Sequence, residues 1–69
     1  MTREKAIAVF DGIMYRLIQN KFNGKGFEHS ENVLVKDLED GFRITYFPQN
    51  QLLLLEDPEG YGIKRYCKG

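Results

Sequence analysis

Apolar positions in this chain change their period once, near residue 23. Up to that point Ala6, Val9, Phe10, Ile13, Met14, Leu17 and Ile18 recur at spacings of three and four, the spacing of an amphipathic helix. Thr2 stands where an N-cap belongs, Glu4 falls in the first turn, and Asn23-Gly24 supplies a stop. The pattern predicts a helix over residues 3–22. Asp11-Gly12 between apolar runs is also a hairpin signal, but good helix formers flank it on both sides. Gly12 costs such a helix about 1 kcal/mol relative to Ala, and close packing is the expected reason for it. Apolar residues cover well over half of the circumference once Ile7, Tyr15 and Phe22 are included, wider than the stripe of a one-sided surface helix. A second contact beyond a sheet is therefore expected of the helix.

After the polar segment 23–32, a predicted loop, the period shortens. Four short runs rich in β-branched, aromatic and leucine residues follow: 33–38, 42–47, 52–56 and 61–67. Each is bounded by turn chemistry, in Glu39-Asp40-Gly41, Pro48–Gln51 and Asp57–Gly60. Connections this short join antiparallel neighbours. The fold class expected is α+β, one domain over residues 1–69, with an N-terminal helix packed on a four-stranded antiparallel meander.

The first turn sets a register. A three-residue loop ending in Gly suits a type I turn with a glycine bulge, pairing Leu38 with Phe42, Asp37 with Arg43, Lys36 with Ile44 and Leu34 with Tyr46. The next connection sets Phe47 opposite Leu52 and Tyr46 opposite Leu53. Side chains alternate between faces along a strand. One face then carries Leu34, Leu38, Phe42, Ile44, Tyr46, Leu53 and Leu55, interrupted only by Lys36, and the helix is expected to cover it. The run Leu52-Leu53-Leu54-Leu55 is thereby divided. Leu52 and Leu54 fall on the opposite face with Val33, Val35, Thr45 and Phe47, and with Asp37 and Arg43 at its edge.

An antiparallel sheet with one wet face normally turns polar residues outward. Here the middle strands turn out Val33, Val35, Phe47, Leu52 and Leu54. The expected use of this face is binding, with Asp37 and Arg43 setting orientation, in a homodimer or on a larger protein that the chain adapts or inhibits. The rival expectation is that loop 23–32 or the C-terminal segment wraps over it.

Size sharpens that expectation. A 69-residue chain buries about 60% of the surface its unfolded form exposes, and such domains often need disulfides, metal or association. With one cysteine, Cys67, and one histidine, His29, an internal disulfide cannot form and the two cannot make a four-ligand structural zinc site unaided, so association is the route expected. No metal and no cofactor are expected. No apolar run reaches the length of a membrane span. The segment Met1–Lys5 lacks a secretion-signal pattern, and the lone cysteine suits a reducing compartment. A cytoplasmic location follows as the expectation.

Charge is zero overall but segregated. Residues 1–27 carry +3, residues 28–59 carry −6 and residues 60–69 carry +3. Mutual attraction of the ends and the middle is the plain reading, and steering of a partner the other.

Candidate chemistry is thin. Asn23-Gly24-Lys25-Gly26 follows a helix, whereas a phosphate loop leads into one. His29 lies between Glu28 and Ser30, but neighbours on one loop do not hold nucleophile geometry. Glu56, Asp57 and Glu59 surround Pro58 in the order a tight turn requires. Cys67 has cations nearby, which favour a thiolate. No convergent catalytic set emerges, and the chain is not expected to be an enzyme. The alternative to protein binding is nucleic-acid binding by Arg43, Tyr61, Lys64, Arg65 and Tyr66, where phosphates would meet cations and bases would stack on tyrosines. Zero net charge and the acidic middle weigh against a broad footprint of that kind.

Overall fold

A computed structural model describes all residues, 1–69. Helix α1 spans Arg3–Ile18, and five strands follow: β1 (Glu28–Ser30), β2 (Val33–Asp37), β3 (Arg43–Phe47), β4 (Leu52–Glu56) and β5 (Gly62–Cys67). The strands form one antiparallel sheet in the order β1-β2-β3-β4-β5. The architecture is α+β with one helix on one face of a meander, as expected, but with a fifth strand.

That extra strand, β1, lies inside the segment expected to be a loop. Its residues Glu28, His29 and Ser30 are polar and exposed, so no apolar alternation marks them. A two-residue turn joins it to β2, with Glu31 (φ 37°) and Asn32 (φ 72°) both in left-handed conformation. Asn tolerates that region and Glu is seldom placed there, so the hairpin carries no Asn-Gly or Asp-Gly signature.

Thr2 caps the helix as expected, its hydroxyl accepting from the Lys5 amide at 3.2 Å. The C-terminus comes earlier than residue 22. Asn20 (φ 59°) takes the left-handed position. Its amide donates to the Leu17 carbonyl at 3.1 Å, and the Lys21 amide donates to the Arg16 carbonyl at 2.8 Å. This is a Schellman stop with Asn in the place of Gly. From the far end of the chain, Lys68 donates its ammonium to the Leu17 carbonyl at 2.8 Å, placing a cation at the negative end of the helix dipole.

Between β2 and β3 the turn differs from expectation. Asp40 (φ 61°) and Gly41 (φ 87°) are both left-handed, where a type I turn with a glycine bulge has one such residue. The register it produces is nevertheless the expected one. Asp37 faces Arg43, Lys36 faces Ile44 and Leu34 faces Tyr46, while the Leu38 amide donates to the Phe42 carbonyl at 2.8 Å. Across the next pair, Phe47 faces Leu52 and Tyr46 faces Leu53.

Ala6, Phe10 and Ile13 pack with Phe42, Ile44, Leu53 and Leu55 in the core. The sheet half of that core is the face the register assigned to the helix. Ile7, Val9 and Met14 pack partly buried on the flanks of the buried stripe. Tyr15 and Ile18 are exposed, and they account for the excess apolar girth of the helix. After α1 the chain returns along the same side: Phe22 stacks edge-on against Phe27 (5.4 Å, 87°) and lies 4.7 Å from the Tyr46 ring.

Only nine of 69 residues are buried, so each core side chain matters. Leu53→Ala is expected to lower stability by about 2–5 kcal/mol, a large part of the roughly 3–10 kcal/mol a chain of this length holds. Urea unfolding measures it. Two glycines should respond in opposite directions. Gly12→Ala is expected to stabilise by about 1 kcal/mol, since a Cβ there meets nothing within 4 Å. Gly41→Ala is expected to destabilise by about 1–2 kcal/mol, because its φ is positive and its Cβ would approach the Pro58 Cβ at 3.0 Å.

Candidate interaction surface

Pairing and alternation lay out the sheet face opposite α1 in three rows. The first runs Ser30, Val33, Phe47, Leu52 and Cys67, and the second runs Glu28, Val35, Thr45, Leu54 and Arg65. The third is Asp37, Arg43, Glu56 and Gly62. The predicted partner-binding residues Val33, Val35, Phe47, Leu52 and Leu54 therefore share one face. The first two rows are apolar through their middles, and the third is charged.

No helix, loop or terminus covers this face. The segment after α1 stays on the helix side, where Phe22 contacts Tyr46 and Gly24 approaches the Leu34 side chain. Lys68 also turns to that side, its amide donating to the Gln51 carbonyl and its ammonium reaching Leu17, while Gly69 stays at the β5 edge beside Asn50, its carbonyl 3.5 Å from the Cys67 thiol. Neither wraps over the opposite face, so that rival expectation is corrected. Val33, Val35, Phe47, Leu52 and Leu54 are shielded only in part, by one another and by adjacent strands. Thr45 is buried at the centre, between Val35 and Leu54.

At the charged end Arg43 donates to Asp37 at 2.7 Å. The hydrogen bond to Asp37 and then the charge of Asp37 raise the Arg43 pKa above the ordinary guanidinium value, and Glu56, across the β3–β4 ladder, adds to the effect. The cation is thus bonded to one carboxylate with a second across the ladder, and the row presents mixed charge rather than a free positive site. Both members of the pair are largely solvent-exposed, where such pairs orient groups more than they stabilise a fold.

Residues of the alternative nucleic-acid surface are divided between faces. Arg65 and Arg43 lie on the open face, each opposite its β4 partner. Lys64 lies on the helix side, bonded to Asp11 at 2.7 Å and 5.9 Å from the Phe10 ring centroid. Tyr66 packs against the core from that side, and Tyr61 is exposed in the turn before β5. They do not form one strip.

The remaining chemical candidates resolve locally. His29 pairs with Leu34 and Ser30 with Val33, so alternation turns His29 and Ser30 to opposite faces. Asp57 is consumed by its turn, accepting from the Glu59 amide at 3.0 Å and the Tyr61 amide at 2.9 Å. No three His, Cys, Asp or Glu side chains converge at one point.

Sequence reasoning missed two rim charges of the open face. Glu28 is hidden because no apolar alternation marks β1 as a strand, and Arg65 because the Tyr-Lys-Arg run points to a different surface. Thr45 was placed on the face, but its central burial is visible only once β2 and β4 flank it. No protein-family model, curated protein or solved structure matches this chain.

Cys67 closes the Leu52 row at the β5 edge. Its exposed thiol lies 3.3 Å from the Asn50 carbonyl. A maleimide is expected to label it in dilute folded protein without denaturant, as followed by intact-mass spectrometry. Labelling only after unfolding would show that the face is covered within a single chain.

Proposed function

We propose that this chain is a noncatalytic protein-interaction module that works as a homodimer joined through its open sheet face. The observation that carries the reading is a folded sheet whose outward middle is Val33, Val35, Phe47, Leu52 and Leu54, with no element of the chain over it. Two sheets stack face to face about 10 Å apart with their strands nearly aligned, and this face is of that kind.

Charge placement in the second row favours a second copy as the occupant. Glu28 on β1 and Arg65 on β5 stand at opposite edges of one row, with Thr45 of β3 midway. A two-fold axis along β3 lays each β1 edge over the other copy's β5 edge. Glu28 then meets Arg65 twice, Leu54 meets Val35, and Leu52 meets Val33. Such an isologous contact is closed. Its second row is self-complementary, while its third row lays Asp37 over Glu56 and Arg43 over Arg43, a like-charge end that stays solvated and keeps the contact weak.

The face is small. Five strands about 4.8 Å apart and five residues about 3.4 Å long give roughly 400 Å² per copy. Interfaces of this class are at the weak, transient end, which matches apolar residues that are half-shielded rather than bare. Burial supplies the affinity, and the rim charges select the partner and its orientation.

Sedimentation equilibrium from low micromolar to millimolar concentration tests the reading. The parent is expected to form a dimer over this range, and Leu54→Asp to stay folded and shift the association at least about 100-fold toward monomer, about 2.7 kcal/mol. Glu28→Arg or Arg65→Glu alone should weaken the dimer about tenfold, and the two together should restore it. A parent that remains monomeric at millimolar concentration overturns the homodimer. A dimer indifferent to all of these changes moves the interface to another face.

A further inference from the structure

On the opposite side of the molecule a hollow of about 320 Å³ opens between α1, the 22–27 segment and the outer part of β2. Its floor is Ile13, Phe22 and Phe27, and its rim carries Arg16, Lys25 and Lys36 without a single carboxylate among the lining residues. Such a volume lies at the small end of those that hold organic ligands, and an apolar floor with a few convergent polar groups is their usual composition.

Two features of the chain lack a structural purpose unless the hollow is used. Lys36 stands on the core side of the sheet, opposite Ile44, where every other residue of that face from Leu34 to Leu55 is apolar. It forms no ion pair; the side-chain pairs of the molecule are Arg43 with Asp37 and Lys64 with Asp11. Arg16 and Lys25 form none either. Three cations thus line one space with no ion-paired carboxylate among them. Gly26 beside them leaves room for the Lys36 ammonium, which a Cβ there would approach at 3.0 Å.

Gly12 is the second feature. Mid-helix glycine costs about 1 kcal/mol relative to Ala, and the expected compensation, close packing, is absent: nothing lies within 4 Å of the position its Cβ would take. It lines the hollow instead. A larger side chain would project into the space, so the glycine keeps it open.

We propose that this hollow binds a small organic anion, a phosphate or carboxylate attached to a flat apolar body. The body lies on Phe22, Phe27 and Ile13, with Gly12 admitting it past the helix. The charged group sits among Arg16, Lys25 and Lys36, where the guanidinium offers a planar fork and the ammonium groups point charges. The site is independent of the open sheet face and does not rest on dimer formation.

Amide chemical-shift titration of the full chain with 1-naphthyl phosphate, 1-naphthoate, 1-naphthalenemethanol and inorganic phosphate tests it. Shifts are expected to saturate for one or both anions and to centre on Gly12, Ile13 and Lys25–Phe27. The tighter of the two anions identifies the charged group. The neutral alcohol and inorganic phosphate should each bind at least about tenfold more weakly, as should the preferred anion to Lys36→Gln, the loss of one charge-assisted contact being of that order. Gly12→Leu should abolish binding while raising the melting temperature, since leucine is the better helix former, so lost binding cannot be lost folding. Shifts centred on Val35 and Leu54, equal binding of the neutral alcohol, or undiminished binding to Gly12→Leu would each overturn the assignment.

Discussion

Ile44 faces Leu55 and Tyr46 faces Leu53 across the central strand pair, and the placement of the other elements follows from that ladder. Alternation has a period of two, so a slip of one residue would carry Leu52 and Leu54 under the helix and expose Leu53 and Leu55. Phe10, fully buried, sits over the chosen set with Ala6 and Ile13. The helix selects the register by offering one apolar stripe to the face that is continuous in Phe42, Ile44, Leu53 and Leu55. The two tight turns bounding β3 then hold it.

That choice leaves a sheet apolar on both sides with a helix for only one. The one helix is already spent on the first side, where its buried stripe of Ala6, Phe10, Ile13 and Leu17 lies. Residues 19–27, which could have crossed to the other side, are spent on closing the helix edge through Phe22, Phe27 and Tyr46. The open face is thus a consequence of the core rather than a feature added to it. In the proposed dimer, association covers this apolar face and the rim charges Glu28 and Arg65 set its orientation.

Charge segregation along the chain has a different outcome from simple mutual neutralisation of ends and middle. Arg43 and Asp37 pair within the acidic middle, and Lys64 and Asp11 join the two basic ends to each other. Among the ion pairs only the N-terminal amine with Asp40 links an end to the middle. Arg16, Lys25 and Lys36 come from α1, the following loop and β2, and remain together without an acid. Fold geometry separates them from Glu28, which is close in sequence but turned to the other face of the sheet.

Much of the fold is legible in the order of residues. The change of period near residue 23, the Thr2 cap, and the turns at 39–41, 48–51 and 57–60 define one helix and four of the strands. The Gly41 turn and the Pro48–Gln51 connection give the register, and the register divides the leucines. These are local properties, set by backbone sterics and alternation, and a sequence displays them directly. Strand β1 is not among them, because Glu28, His29 and Ser30 become a strand only by pairing with β2. Nor is the end of α1, where Asn20 rather than Gly24 takes the left-handed stop and the Lys68 ammonium adds a bond to the Leu17 carbonyl. Whether the Val33–Leu54 face stays open, and whether Lys36 meets Arg16 and Lys25, depends on which side the connecting segments take. That is decided by packing between residues far apart in the chain, and tertiary structure alone contains it.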